Sequence, residues 1–156
     1  MSEAGPAAQL GEFIDRYDPA IATFARAALS QLRKRLPGAV ELVYDNYNAL
    51  AIGFAPSDKA SAAVFSIALY PRWVTLFFLK GGILKDPTKR LKGSGATVRH
   101  IVLQQPADIA AADVERLVAA ALDAADWKPD GRRKRTLLIK SVAAKQRPRR
   151  AAAAAN

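Results

Sequence analysis

Ala62-Ala63-Val64-Phe65-Ser66-Ile67-Ala68-Leu69-Tyr70, then Pro71-Arg72, then Trp73-Val74-Thr75-Leu76-Phe77-Phe78-Leu79-Lys80, is the stretch that decides the fold. Two apolar runs rich in aromatic and β-branched side chains meet at a proline turn. Each run falls far short of the ~20 residues a membrane span needs, and the residue types suit a pleated sheet. They read as strands. Upstream, Glu41–Tyr47 and Leu50–Ala55 have the same character, and downstream Val98–Gln104 does too. Short connections such as Pro56-Ser57-Asp58 predict an antiparallel meander. The exception is 81–97, a loop of about seventeen residues holding Gly81, Gly82, Gly93 and Gly95. Structureless loops of that length are uncommon in small domains and usually functional or mobile.

A helix is predicted on either side of the strands. Asp18-Pro19 supplies an N-cap and a proline at the first helical position, and Ile21, Phe24, Ala25, Ala28, Leu29, Leu32 and Leu36 follow at helical spacing before Pro37-Gly38 stops the run. Pro106-Ala107-Asp108 opens a second helix to about Asp126, with Ile109, Val114, Leu117, Val118, Ala121 and Leu122 on its apolar face. The expected fold is α+β: a two-layer sandwich with an antiparallel sheet of about five strands and both helices on one face. The expected organisation is a leader over 1–17, a domain over 18–127 and a basic, Ala-rich, flexible tail over 128–156, in which Leu137-Leu138-Ile139 is a short apolar island able to add a sixth strand at a sheet edge.

Charge divides along the chain in the same way. The formal net charge is +10, but residues 1–127 hold 14 Lys/Arg against 13 Asp/Glu, whereas 128–156 hold 10 Lys/Arg against the single Asp130. The tail therefore invites phosphates through Arg132, Arg133, Lys134, Arg135, Arg147, Arg149 and Arg150, with steep salt dependence and little sequence choice. There is no cysteine, which excludes disulfides, thiolate catalysis and cysteine-ligated metal centres. Met1–Leu10 lacks the basic start and apolar stretch of a secretory signal, so the expected location is cytoplasmic, without a membrane partner.

At Phe77-Phe78-Leu79-Lys80-Gly81-Gly82-Ile83-Leu84-Lys85-Asp86-Pro87, continuing through Leu91-Lys92-Gly93-Ser94-Gly95 to Val98-Arg99-His100-Ile101, the chain resembles the YdhG-like family, domain of unknown function 1801. Leu36-Pro37-Gly38-Ala39-Val40-Glu41-Leu42-Val43-Tyr44-Asp45-Asn46 resembles the same family's step from helix to first strand. The resemblance covers about residues 20–125. It implies a compact α+β domain with a frataxin-like shape, and for some members iron handling. Frataxin-like iron binding relies on an acidic ridge around the first helix, where this chain has Arg26, Arg33, Lys34 and Arg35. The carboxylates available instead are Asp108, Asp113, Glu115, Asp123 and Asp126 on the second helix.

Candidate chemistry concentrates in the glycine loop. Lys92-Gly93-Ser94-Gly95 allows close backbone approach and an anion-binding nest, with Arg99 and the single histidine, His100, directly after it. The ordinary role of these glycines is to make a turn, and that of His100 is to sit hydrogen-bonded at a strand start. One histidine, with no metal-ligand spacing around it, predicts no metal site. A Ser94–His100–Asp86 set lacks a nucleophile-elbow context, so no catalytic constellation and no enzyme is expected. Leu42, Tyr44 and Asn46 share one face of the first strand. Tyr70 and Trp73 flank their turn either as a cross-strand packing pair or as a platform for a base or sugar. The leading expectation is a cofactor-free domain that binds a small anionic ligand or a protein partner near 81–100 through Lys92, Gly93, Ser94, Gly95, Arg99, His100 and Tyr44. The alternatives are nonspecific nucleic-acid association through the tail, and frataxin-like iron binding.

Overall fold

A computed structural model describes residues 5–151. Its elements, in chain order, are helices α1 (Pro6–Asp15) and α2 (Pro19–Arg35), strands β1 (Val40–Asp45), β2 (Leu50–Ala55), β3 (Phe65–Leu69), β4 (Val74–Phe78) and β5 (Arg99–Val102), helix α3 (Ala112–Ala124) and strand β6 (Thr136–Val142). The class is α+β, and the Leu137–Ile139 island does add a sixth strand at a sheet edge, so the sheet is neither five-stranded nor purely antiparallel. It has six strands in the order β5-β4-β3-β2-β1-β6, antiparallel from β5 to β1, with β6 parallel to β1.

Two expectations are corrected here. The segment expected as a leader contains α1: proline at its first position fits where a missing N–H costs nothing, and Leu10, Ile14 and the following Tyr17 are buried. The segment expected as a tail outside the domain belongs to it as far as Arg150. Leu137, Leu138 and Ile139 form the middle of β6, and Ala143 and Arg147 continue the backbone bonding to Asp45 and Tyr47. Gly38, at φ +75°, turns the chain between α2 and β1, and a Cβ there would lie 2.2 Å from the carbonyl oxygen of Asp130. The 130–133 segment thus packs on a spot only glycine allows.

Alternation along each strand sorts the sheet into two faces. The inner rows are Glu41–Phe54–Phe65–Phe78, Val43–Ile52–Ile67–Leu76–Ile101 and Asp45–Leu50–Leu69–Val74. These side chains join the apolar stripes of all three helices in one core. Tyr17 pins that core, its hydroxyl donating to the Leu69 carbonyl at 2.9 Å and accepting from the Leu50 N–H at 3.1 Å. The second predicted helix is split. Pro106–Ala110 is a 3-10 turn whose Asp108 accepts from the Gln104 and Gln105 N–H groups, and α3 starts only after it.

The inner face also carries two carboxylates, Glu41 and Asp45, at 0% and 1% exposure. A buried charge is tolerated only when paired, and each has arginines. Arg33 from α2 grips Glu41 with two bonds of 2.9 and 2.8 Å, and Arg135 adds a third at 2.9 Å. Asp45 receives Arg149 at 2.8 Å, with Arg16 at 3.4 Å. Arg149 is itself buried, stacks over the Tyr17 ring, and donates to the Asn46 carbonyl. The basic C-terminal segment is fastened to the domain by its charge.

Candidate functional site

None of the three helices covers the other face of the sheet; on its β1–β2 side the 60–63 connection packs down, and Leu42, Ala55 and Ala63 form a second, small buried cluster. The rows of this face are Leu42–Gly53–Ser66–Phe77–His100 and Tyr44–Ala51–Ala68–Thr75–Val102, with Leu138 of β6 beside Leu42. Central positions are small and the larger side chains stand to either side, which makes a trough. A cleft of about 420 Å³ follows it from Tyr47 and Asn48, over Ala51, Ala68 and Phe77, to Val98.

Two tight turns close one end of the trough. Asn46 N–H bonds the Ala49 carbonyl and Tyr70 N–H bonds the Trp73 carbonyl, so each connection is two residues long. The Pro71-Arg72 turn sets Tyr70 and Trp73 directly opposite each other on the outer face, and their rings stack at 5.1 Å and 24°. Trp73 is still 44% exposed. Burial pushes the Tyr70 hydroxyl above its ordinary pKa.

A larger cleft, of about 990 Å³, opens beyond these rings and shares Asn48 and Tyr70 with the trough. Arg72, Arg147 and Arg150 line it, and no carboxylate does. Their placement follows from Arg149. That side chain turns inward to Asp45, which leaves Arg147 facing out with its guanidinium 6.0 Å from the Tyr47 ring centre, and Arg150 donating to the Arg16 carbonyl, 3.7 Å from Asp18.

The residues singled out from sequence are distributed unevenly around this geometry. Lys92 and His100 form an isolated antiparallel bridge, so they are neighbours at the far edge of the outer face, where His100 packs on Phe77 at 5.7 Å. Gly93 adopts φ +111°, and Arg99 donates to the Gly95 and Val98 carbonyls. The loop thus turns carbonyls toward its own cation; Ser94 is exposed beside them. Tyr44 stands on β1, four strand spacings or roughly 19 Å from β5, and is not brought together with His100. None of Lys92, Gly93, Ser94, Gly95, Arg99 or His100 lines the two clefts.

Of the basic set, Arg132 pairs with Asp130, Arg135 with Glu41, Arg149 with Asp45 and Arg150 with Asp18. Arg133 and Lys134 are exposed. The carboxylates around α3 do not converge: among the described residues no group of three His, Asp or Glu side chains is placed to hold a metal ion. Arg72 and Asn48 are the site residues that sequence reading passed over. The signal for them was the two-residue spacing of the turns, which fixes what faces what. No family model matches the chain, and no curated protein or solved structure does. Among the described residues no helix is long and apolar enough to cross a membrane.

Proposed function

We propose that this protein is a binding domain, not an enzyme, whose ligand is a small molecule with a planar ring and an anionic group, held in the cleft at the Tyr70–Trp73 end of the sheet. The observation that carries this reading is the pairing of an exposed, stacked tryptophan with three arginines in a cleft lined by no carboxylate. A ring laid on Trp73 gains stacking, and guanidinium groups supply forked donors matched to phosphate or carboxylate. The site moves the expected anion binding from the glycine loop to the opposite end of the sheet.

The chain has two tryptophans, and Trp127 is buried in the core, so a ligand at the cleft reports through Trp73. Titration with phenyl phosphate and with a nucleoside 5′-monophosphate is expected to quench the intrinsic fluorescence saturably, and Trp73→Ala to abolish the response without moving the melting temperature. Quenching that is linear and identical in the variant would remove the site.

A further inference from the structure

We infer that the outer sheet face is a track for single-stranded nucleic acid, entered at the arginine cleft. The inference rests on the ring-and-anion reading of that cleft and extends it to a polymer.

The first ground is electrostatic. Every carboxylate carried by the strands, Glu41 and Asp45, points inward and is buried. The outward strand positions hold aliphatic, aromatic, hydroxyl and imidazole side chains and no acid. Cations stand at both ends of the face: Arg72, Arg147 and Arg150 at the cleft, and Lys92 beside His100 at the opposite edge. A polyanion crossing this face meets positive charge on entry and exit and no repulsion between.

The second ground is the placement of rings. Trp73 and Tyr70 mark the start of the groove, and Phe77, half-buried, stands on the same face of β4 four residues on from Trp73. Between them the floor is Ala68, Ser66 and Thr75, too small to obstruct a base. Open sheets that present two or three rings in this way stack that many unpaired bases, with little sequence preference because every base has a π-face. A duplex hides those faces, so it gains only the phosphate contacts.

The third ground is continuity. The trough and the arginine cleft share Asn48 and Tyr70, so one strand can occupy both without leaving the surface. This differs from tail-driven binding, because Arg135 and Arg149 are committed to Glu41 and Asp45.

The test is fluorescence anisotropy on the full chain with labelled single-stranded 12-mers of mixed sequence, the matching duplex, and a nucleoside monophosphate as competitor, across a salt series. The 12-mer is expected to bind more tightly than the duplex, with a log–log salt slope of about 2, as three arginines meeting single-strand phosphates give. Trp73→Ala and Phe77→Ala are each expected to weaken it roughly 10-fold, the loss of one stacked base. Because Phe77→Ala can disturb the sheet, Arg147→Glu serves as a second, exposed variant and is expected to weaken binding at least as much. If the monophosphate competes as well as an unlabelled 12-mer, the track is wrong and the cleft reading survives. If neither binds, both fall. If duplex and single strand bind alike and Trp73→Ala changes nothing, the binding is electrostatic and the track is wrong.

Discussion

The two faces of the sheet are built from the same strands and obey opposite rules. The inner face packs Phe54, Phe65, Phe78 and aliphatic side chains against three helices, and it also buries Glu41 and Asp45. The outer face exposes rings over a floor of Gly53, Ser66, Ala51 and Ala68 and carries no acid. Acid is drawn inward, where arginines from α2 and from the C-terminal segment neutralise it, and Arg72, Arg147 and Arg150 stand at the outer rim in a cleft lined by no carboxylate. Damage to the inner face should therefore be read as stability, and damage to the outer face as binding.

The strongest way to break this division is to truncate after Trp127. That removes β6 and leaves Glu41 and Asp45 without Arg135 and Arg149. Leaving Asp45 without its buried partner costs about 3–5 kcal/mol, and with β6 and its packed Leu137, Leu138 and Ile139 also gone the loss rivals the roughly 5–15 kcal/mol that holds a domain together. The truncated chain is expected to show no cooperative thermal transition by circular dichroism. A native-like transition would mean that the C-terminal segment is a decoration on the fold.

Single substitutions sharpen the same comparison. Arg149→Ala strips the buried partner from Asp45 and leaves only Arg16, which is half-exposed and 3.4 Å away. A loss of about 3 kcal/mol is expected. Arg135→Ala leaves Glu41 with both bonds from Arg33, and Arg135 is itself half-exposed, so about 1 kcal/mol is expected, the upper end for an exposed ion pair. Urea midpoints of the two variants test the order, and equal losses would mean that Arg16 and Arg33 compensate equally well.

The antiparallel β1–β5 meander and the stripes of α2 and α3 were legible in the sequence because apolar periodicity reports directly on which face is buried. The sixth strand was legible only as an island, since Leu137-Leu138-Ile139 is flanked by cations and charge read along a chain is silent about buried partners in another segment. Glu41 and Asp45 alternate on β1 like any solvent-facing acids. Nothing local says that Arg135, 94 residues on, and Arg149, 104 residues on, turn them into core. The glycine loop shows the complementary limit of such reading. Glycines and basic residues resemble an anion site, but Asp86 accepts from the Arg90 and Leu91 N–H groups and Arg99 takes the Gly95 carbonyl, so the loop satisfies much of its own polarity. Tyr70 and Trp73 were visible as a pair, while the arginine that completes their cleft, Arg147, was visible only as part of a charge run.

A last contrast sets two phenols against each other, one on each face. Burial raises the pKa of both Tyr17 and Tyr70, and at Tyr17 the neighbouring Arg149 and the Leu50 N–H pull the other way. A raised folded-state pKa means that the native state keeps its proton while the unfolded chain, ionising near pH 10, gives it up. The unfolded state then binds fewer protons, so stability is fully present below about pH 10 and falls as pH rises beyond it. Tyr17→Phe is expected to flatten that decline while lowering stability near pH 7 by roughly 1–3 kcal/mol, because the buried Leu50 N–H loses its acceptor. Tyr70→Phe, whose hydroxyl has no such core role, is expected to leave stability near pH 7 almost unchanged. Urea unfolding at about pH 8 and about pH 11 measures both, and equal alkaline slopes in wild type and Tyr17→Phe would show that the inner phenol does not set the high-pH limit of the fold.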